Sequence, residues 1–136
     1  MPLWKIGRNL AAIVIGLSPV ACNLGFAYEE RLSGDYGLIA IDVMEQMSVS
    51  KFRNGNGGVA VINQTVFAVG CNDEFLIAKQ HPNRGTIDRS VTNFYIFRVT
   101  DGELFGPYTE SEYRKARQRL QLPEALQFTR VFERLA

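Results

Sequence analysis

The chain has few of the residues that build metal sites and catalytic triads. Its 136 residues include two cysteines and one histidine. A zinc site needs three or four ligands at workable spacing, which one histidine and one free cysteine do not supply. A Ser-His-Asp triad would have to use His81 as its base, and no G-x-S-x-G motif accompanies it. We therefore predict no metal and no cofactor, and we assign no catalytic residues.

Neither sign of charge is in excess. The whole chain carries 15 basic and 14 acidic residues, a net charge of +1. Lys5 and Arg8 lie in the N-terminal segment, so the remainder is near −1. A nucleic-acid-binding protein usually gathers a strong basic excess on one face. We therefore expect no nucleic-acid partner and no strong electrostatic attraction to an anionic membrane.

The sequence also has no hydrophobic run long enough to span a membrane. It does have a short one near the N-terminus. Residues 10–17 form a small and apolar run that follows Lys5 and Arg8 and ends at Ser18-Pro19. A charged start, a short apolar middle and small residues before a cut are typical of a secretory signal. A run of about eight residues is far shorter than the ~20 that a membrane-spanning helix needs. The pattern predicts export rather than a permanent transmembrane helix.

The end of this segment predicts a lipid anchor. The residues Pro19-Val20-Ala21-Cys22 resemble a bacterial lipobox, in which a signal peptidase cuts just before a cysteine that carries diacylglycerol. Ala21 and Cys22 fit the pattern, whereas Pro19 stands where leucine is preferred. We favour cleavage between Ala21 and Cys22, with Cys22 lipidated and the protein held at the cell membrane or outer membrane, facing the periplasm or the exterior.

A second cleavage site stays open. Gly25 and Ala27 are small, so a signal peptidase could cut after Ala27 and leave Tyr28 as the N-terminus of a soluble exported domain. With the favoured cut, the organisation is a signal peptide over residues 1–21, a tether over 22–34 and one β-rich domain over 35–136.

The mature chain reads mostly as strands. The pattern predicts strands over residues 36–43, 48–53, 59–62, 65–71, 75–80 and 93–99, with a closing strand over 126–132. Asn and Gly residues at 54–58 favour a tight reversal, because they tolerate positive φ. Strands joined by short turns pair antiparallel, so we predict a β-rich α+β fold built on an antiparallel meander of about six or seven strands.

One helix follows, near residues 110–121. Thr109 and Glu112 form a capping box, in which each side chain bonds the other residue's backbone N–H. Tyr113 and Ala116 begin an apolar stripe, and Pro123 ends the helix. Basic side chains in its later turns suit the helix dipole and make a candidate interaction surface: Arg114, Lys115, Arg117 and Arg119.

The order of features between residues 69 and 128 resembles a known group of sequences. They are a glycine-asparagine-aspartate turn at 70–73, strands at 75–80 and 94–97, and Gly106-Pro107 ahead of the helix with Tyr113 and Arg117. Small uncharacterised bacterial exported proteins and lipoproteins, grouped as a domain of unknown function, share this order. The resemblance implies location and fold, brings no catalytic residues, and implies that Cys71 fills a packing position.

Three hypotheses about function remain. The leading one is an envelope lipoprotein that binds a protein or small-ligand partner and is not an enzyme. The second is a small exported hydrolase-like enzyme that uses His81 and the polar loop Asn83–Asp88. We expect His81 to be an exposed loop residue, and we expect Asp73 and Glu74 to raise the pKa of Cys71. The third is the soluble domain cut after Ala27.

Overall fold

Most strands pair with the strand that precedes or follows them in sequence, mainly across short turns. The computed structural model describes residues 25–55 and 57–136, so the predicted signal peptide and Cys22 lie outside the described residues. The elements are β1 (Tyr28–Ser33), β2 (Tyr36–Ala40), a 3-10 helix (Met44–Gln46), β3 (Ser48–Phe52), β4 (Gly58–Ile62), β5 (Val66–Cys71), β6 (Phe75–Gln80), β7 (Asn93–Arg98), β8 (Glu103–Tyr108), α1 (Glu110–Arg119) and β9 (Arg130–Val131).

The strands form two antiparallel sheets. One has four strands in the order β1-β2-β3-β4, and the other has five in the order β8-β7-β6-β5-β9. The meander therefore breaks between β4 and β5, and each half forms its own sheet. The β-rich α+β fold with antiparallel pairing and one α-helix near residue 110 is confirmed for the described part of the chain.

Two strands were not anticipated, and one is shorter than expected. Residues Tyr28–Ser33, placed in the tether by the sequence, form β1 and pair with β2. Glu103–Tyr108 form β8, although Gly106-Pro107 signalled a break in the chain. The closing strand of residues 126–132 is reduced to Arg130–Val131, which pair with Val69 and Ala68 of β5.

The two faces of the five-stranded sheet are covered by different layers. Leu76 of β6 and Phe97 of β7 enter a cluster shared with Leu38 and Val49 of the four-stranded sheet. The alternate residues of the same strands enter a second cluster with the helix. That second cluster contains Phe75, Ile77, Phe94, Ile96, Tyr113, Ala116 and Leu126.

The predicted helix start is confirmed. The Thr109 hydroxyl accepts from the Glu112 N–H at 3.2 Å, and the Thr109 N–H donates to Glu112 Oε1 at 2.8 Å. This capping box turns the chain from β8 into α1, so that Tyr113 and Ala116 pack on the sheet.

A close backbone approach fixes the C-terminal segment on β5. The Thr129 N–H donates to the Val69 carbonyl at 3.0 Å, and a Cβ on Gly70 would collide with the carbonyl oxygen of Gln127. Only glycine leaves room for the backbone there. The segment therefore lies against the edge of β5 even where it forms no regular strand.

Candidate functional site

The junction between the predicted tether and the fold lies beside the loop that follows β2. Ala21 and Cys22 fall outside the described residues, whereas Ala27 and Tyr28 fall inside them. The Ala27 N–H donates to the carbonyl of Ile41 at 3.0 Å, and Tyr28 pairs with Ala40 in the first register position of β1. The first strand of the described fold thus begins within six residues of either predicted cleavage site.

Side chains of β1 hold the junction to the C-terminal segment. The Tyr28 ring packs edge-on against Phe132 with centroids 5.2 Å apart, and its hydroxyl donates to Glu30 Oε1 at 2.7 Å. Arg130 pairs with the other carboxylate oxygen of Glu30. Partial burial, followed by the Glu30 carboxylate, raises the pKa of Tyr28. β1 is therefore an integral strand that joins the two ends of the described chain.

The expectation that His81 is exposed is wrong, because its side chain is only 4% exposed. Its ring stacks on Phe67 with centroids 4.2 Å apart. Its Nδ1 lies 2.7 Å from the carbonyl oxygen of Val91, which can only accept, so Nδ1 carries a proton. Nε2 is buried and has no hydrogen-bond partner among residues 25–55 and 57–136. The histidine is part of the packed interior, held in one tautomer by a backbone carbonyl.

A groove of ≈ 520 Å³ lies against His81, and its walls include Lys79, Thr92 and Glu110. Glu110 is the one carboxylate side chain among its lining residues. The Lys79 ammonium lies over the rings of Phe94 and Phe128, at 5.5 and 4.8 Å. An acid–base site built on His81 would need carboxylates bonded to its ring, whereas the Nδ1 of His81 is bonded to the Val91 carbonyl.

The polar loop of residues 83–88 satisfies much of its own hydrogen bonding. Asn83 donates to the Thr65 hydroxyl at 2.9 Å, and its Oδ1 accepts from the Gly85 N–H at 2.9 Å. Asp88 accepts from both the hydroxyl and the N–H of Ser90, and these bonds are the main cause of its lowered pKa. These contacts hold the polar side chains of Asn83 and Asp88 within the loop and against Thr65, and they do not bond either side chain to His81.

Cys71 and His81 lie at opposite ends of the β5–β6 hairpin. Cys71 pairs with Leu76 at the turn, while the His81 N–H bonds the Thr65 carbonyl at the far end. Five residues of strand, about 17 Å, separate the two positions. Burial, then the carboxylates of Glu30 and Asp73, raise the pKa of the Cys71 thiol. The predicted influence of Asp73 on the pKa of Cys71 is confirmed, whereas Glu74 is not among the causes of the shift. A catalytic pair of the Cys71 thiol and the His81 imidazole is excluded by the distance between them.

The four basic residues of α1 are divided between two flanks of the helix. Arg117 donates to the Tyr113 hydroxyl at 2.9 Å and to the Pro123 carbonyl at 2.8 Å. Arg114 pairs with Glu110 at 2.8 Å, on the same side. Arg119 lies on the other flank and donates to the Tyr108 hydroxyl at 3.1 Å, with Lys115 one turn before it. The helix brings these side chains into two pairs and not into one patch.

The aromatic strand β7 is covered on both faces, as its apolar residues at successive positions indicate. Phe94 and Ile96 pack toward α1, while Tyr95 and Phe97 pack toward the four-stranded sheet. Phe97 is 1% exposed. This strand therefore offers no open aromatic surface for a partner.

Residues 33–132 match the family model described as "protein of unknown function (DUF3997)". The chain belongs to this family. The match contains the whole of the segment, residues 69–128, in which the sequence resembles a domain of unknown function. No curated protein and no solved structure matches the chain.

The DUF3997 match covers β2 to β8, α1 and β9, so it spans both sheets and the helix that packs on the outer face of the five-stranded sheet. Within the described ranges, no three His, Cys, Asp or Glu side chains are grouped so that they could hold a metal ion. In the same ranges, no helix has the length and apolarity needed to cross a membrane.

A feature that the sequence did not predict is the exposed loop after β2. The apolar alternation suggested a strand over residues 36–43, but β2 ends at Ala40. Ile41 and Val43 are left 54% and 50% exposed, the highest values for large hydrophobic side chains in the described part of the chain. In the sequence, residues 41–43 look like the end of a strand, and nothing in the local pattern indicates that β2 stops before them.

Proposed function

We propose that this DUF3997 protein is an exported bacterial lipoprotein, anchored through Cys22, whose β-rich domain binds a partner at the cell envelope. The observation that supports it best is the position of β1, which begins at Tyr28, six residues after Cys22. A cut before Cys22 leaves every described strand in the mature protein. It also retains the Ala27 N–H that bonds Ile41.

The proposed anchor would hold the domain close to the bilayer. Six residue steps span at most about 21 Å when fully extended. One acyl chain gives marginal membrane binding at about 0.8 kcal/mol per buried methylene, whereas two or more chains give stable attachment. A lipidated Cys22 would therefore keep the domain permanently at the membrane surface, where it could act as a binding module rather than as a diffusing protein.

A soluble exported domain, cut after Ala27, is the second candidate. The observation in its favour is that β1 begins at Tyr28, so this cut also leaves β1 whole. It would cost the hydrogen bond from the Ala27 N–H to Ile41 and separate Phe26 from its contact near Gly57. For that reason we rank it below the lipoprotein.

Labelled palmitate in growing cells tests the anchor. The wild type and Cys71→Ser should incorporate the label and sediment with membranes, while Cys22→Ser should do neither. Cys71→Ser is the matched control, because it removes the other thiol of the chain. An unlabelled wild type in the soluble fraction, with a mature N-terminus at Tyr28, would reject the lipoprotein and support the second candidate.

Chemical cross-linking followed by purification tests the binding role. The partner should co-purify with the anchored protein from washed membranes. We expect recovery to depend on residues of the exposed surface and not on His81, because His81 is buried.

A further inference from the structure

The loop Ile41–Val43, which we call the apolar loop, is placed where the proposed anchor enters the fold. The Ala27 N–H donates to the Ile41 carbonyl at 3.0 Å, and Ala27 follows Cys22 by five residues. Five residue steps span at most about 18 Å, and the hydrogen bond adds 3.0 Å. A lipid on Cys22 would therefore hold the Ile41 carbonyl within about 21 Å of the bilayer. The strength of the contact between loop and bilayer is then set by the loop's own chemistry.

That chemistry is apolar at the tip and continues into the body of the domain. Ile41 and Val43 are more than half or half exposed, at 54% and 50%. Met44 follows directly and lines a groove of ≈ 300 Å³ with Phe132 and Leu135. Bulky aliphatic side chains leave water favourably when they enter the interfacial region of a bilayer.

We infer that the apolar loop rests in the surface of the bilayer to which Cys22 is anchored. This inference depends on the proposed lipoprotein function and adds the orientation of the domain. The anchor already removes most of the translational freedom that a membrane contact would otherwise cost, so two aliphatic side chains are enough to select the face. Asp42 within the loop and Glu45 just after it are exposed and acidic, so the contact is made by Ile41 and Val43 with acyl chains rather than by electrostatic attraction to anionic headgroups.

The orientation has a consequence for the rest of the surface. Leu104 of β8 lies two residues after Gly102, where a Cβ would lie 3.7 Å from the Tyr36 hydroxyl, at the end of β2 opposite Ala40. Four residues of strand, about 13 Å, separate the two ends of β2. The start of β8 should therefore point away from the bilayer when the apolar loop lies in it.

Fluorescence of a probe at Val43 tests the contact. Val43→Cys in the full chain is labelled with an environment-sensitive fluorophore, purified with its lipid, and reconstituted into phosphatidylcholine vesicles with brominated acyl chains. Leu104→Cys is the matched control, because Leu104 is 38% exposed and lies at the opposite end of the domain. The unsubstituted chain reports background labelling of Cys71, and Ile41→Cys provides a second position.

The probe at residues 43 and 41 should be shifted to the blue and quenched severalfold more than the probe at residue 104. Equal quenching at all three positions, in protein that carries the acyl label, would overturn the contact and leave the anchor standing. Protein without the acyl label would overturn both. The two failures are therefore distinguished by the palmitate measurement made on the same preparation.

Discussion

Leu76 and Ile77 are neighbours on β6 whose side chains enter different layers of the domain. Both are 0% exposed. Leu76 belongs to the cluster between the two sheets, and Ile77 belongs to the cluster beneath α1. Leu76→Ala and Ile77→Ala therefore test the two layers separately with nearly the same change in side-chain volume.

Both substitutions should be strongly destabilising. Truncating a fully buried Leu or Ile to Ala costs about 2–5 kcal/mol, since it combines lost burial with a cavity that the surroundings only partly fill. The whole stability of a domain is about 5–15 kcal/mol, so each single variant should still fold. With a urea slope of about 1–3 kcal/mol per M, each unfolding midpoint should fall by roughly 1 M or more.

Urea unfolding followed by circular dichroism measures both effects, because the single tryptophan, Trp4, lies in the predicted signal peptide. Leu104→Ala is the control, since Leu104 is 38% exposed on β8 and should change stability by no more than about 0.5 kcal/mol. If Ile77→Ala cost no more than Leu104→Ala, the helix layer would not cover the sheet, and the three-layer description would be wrong.

Four further predictions concern local features. Thr109→Ala should cost about 0.5–2 kcal/mol by removing the cap of α1, measured by urea unfolding. Bonds from the N–H and then the side chain of Thr109 lower the pKa of Glu112, so the stabilisation from that carboxylate should be full above the ordinary glutamate range and lost as the pH falls through its lowered value, as an NMR titration would show. Gly70→Ala should destabilise by about 1–3 kcal/mol or more, because its Cβ collides with backbone, whereas Gly25→Ala meets nothing within 4 Å and should be neutral. Cys71 should be alkylated more slowly than a free cysteine at neutral pH, with a rate that rises only above the ordinary thiol range, because its raised pKa reduces the thiolate.

For the substitutions and for the alkylation of Cys71, a specific result would contradict the prediction. An unchanged unfolding midpoint in Thr109→Ala would mean that the helix start is held by packing alone. Equal effects of the two glycine substitutions would contradict the close approach to Gln127. Alkylation of Cys71 at the rate of a small-molecule thiol would mean that its side chain is neither buried nor close to Glu30.

The strands that the sequence predicted are rich in apolar residues, which is a local signal. In β1, which it missed, charged residues obscure that signal. β7 carries apolar residues at every interior position, which predicted burial on both faces, and the structure confirms it. β1 carries three charged residues, Glu29, Glu30 and Arg31, which look like a tether. It is a strand because its backbone pairs with β2 and its Glu30 meets Arg130, a residue far away in sequence.

The candidate site was harder to predict than the fold. Polar residues around His81 suggested exposure, but Phe67, fourteen positions earlier, brings a ring over the imidazole. The basic side chains of α1 suggested one surface, but Arg117 and Arg119 are drawn to tyrosine hydroxyls on either side of the helix. Stacking partners and side-chain acceptors of this kind depend on tertiary packing, which no local pattern contains.

The sequence by itself determined what depends on neighbouring residues: the pattern of the export segment, the order of β2 to β7, the reversal after Phe52 and the capping box at Thr109. These follow from charge, side-chain periodicity and turn chemistry over a few positions. The tertiary structure decided how the meander divides into two sheets, that His81 is buried, and that β2 stops at Ala40 and leaves Ile41 and Val43 in water. Those outcomes depend on which distant segments pair and pack, because burial is a property of the assembled layers rather than of any one strand.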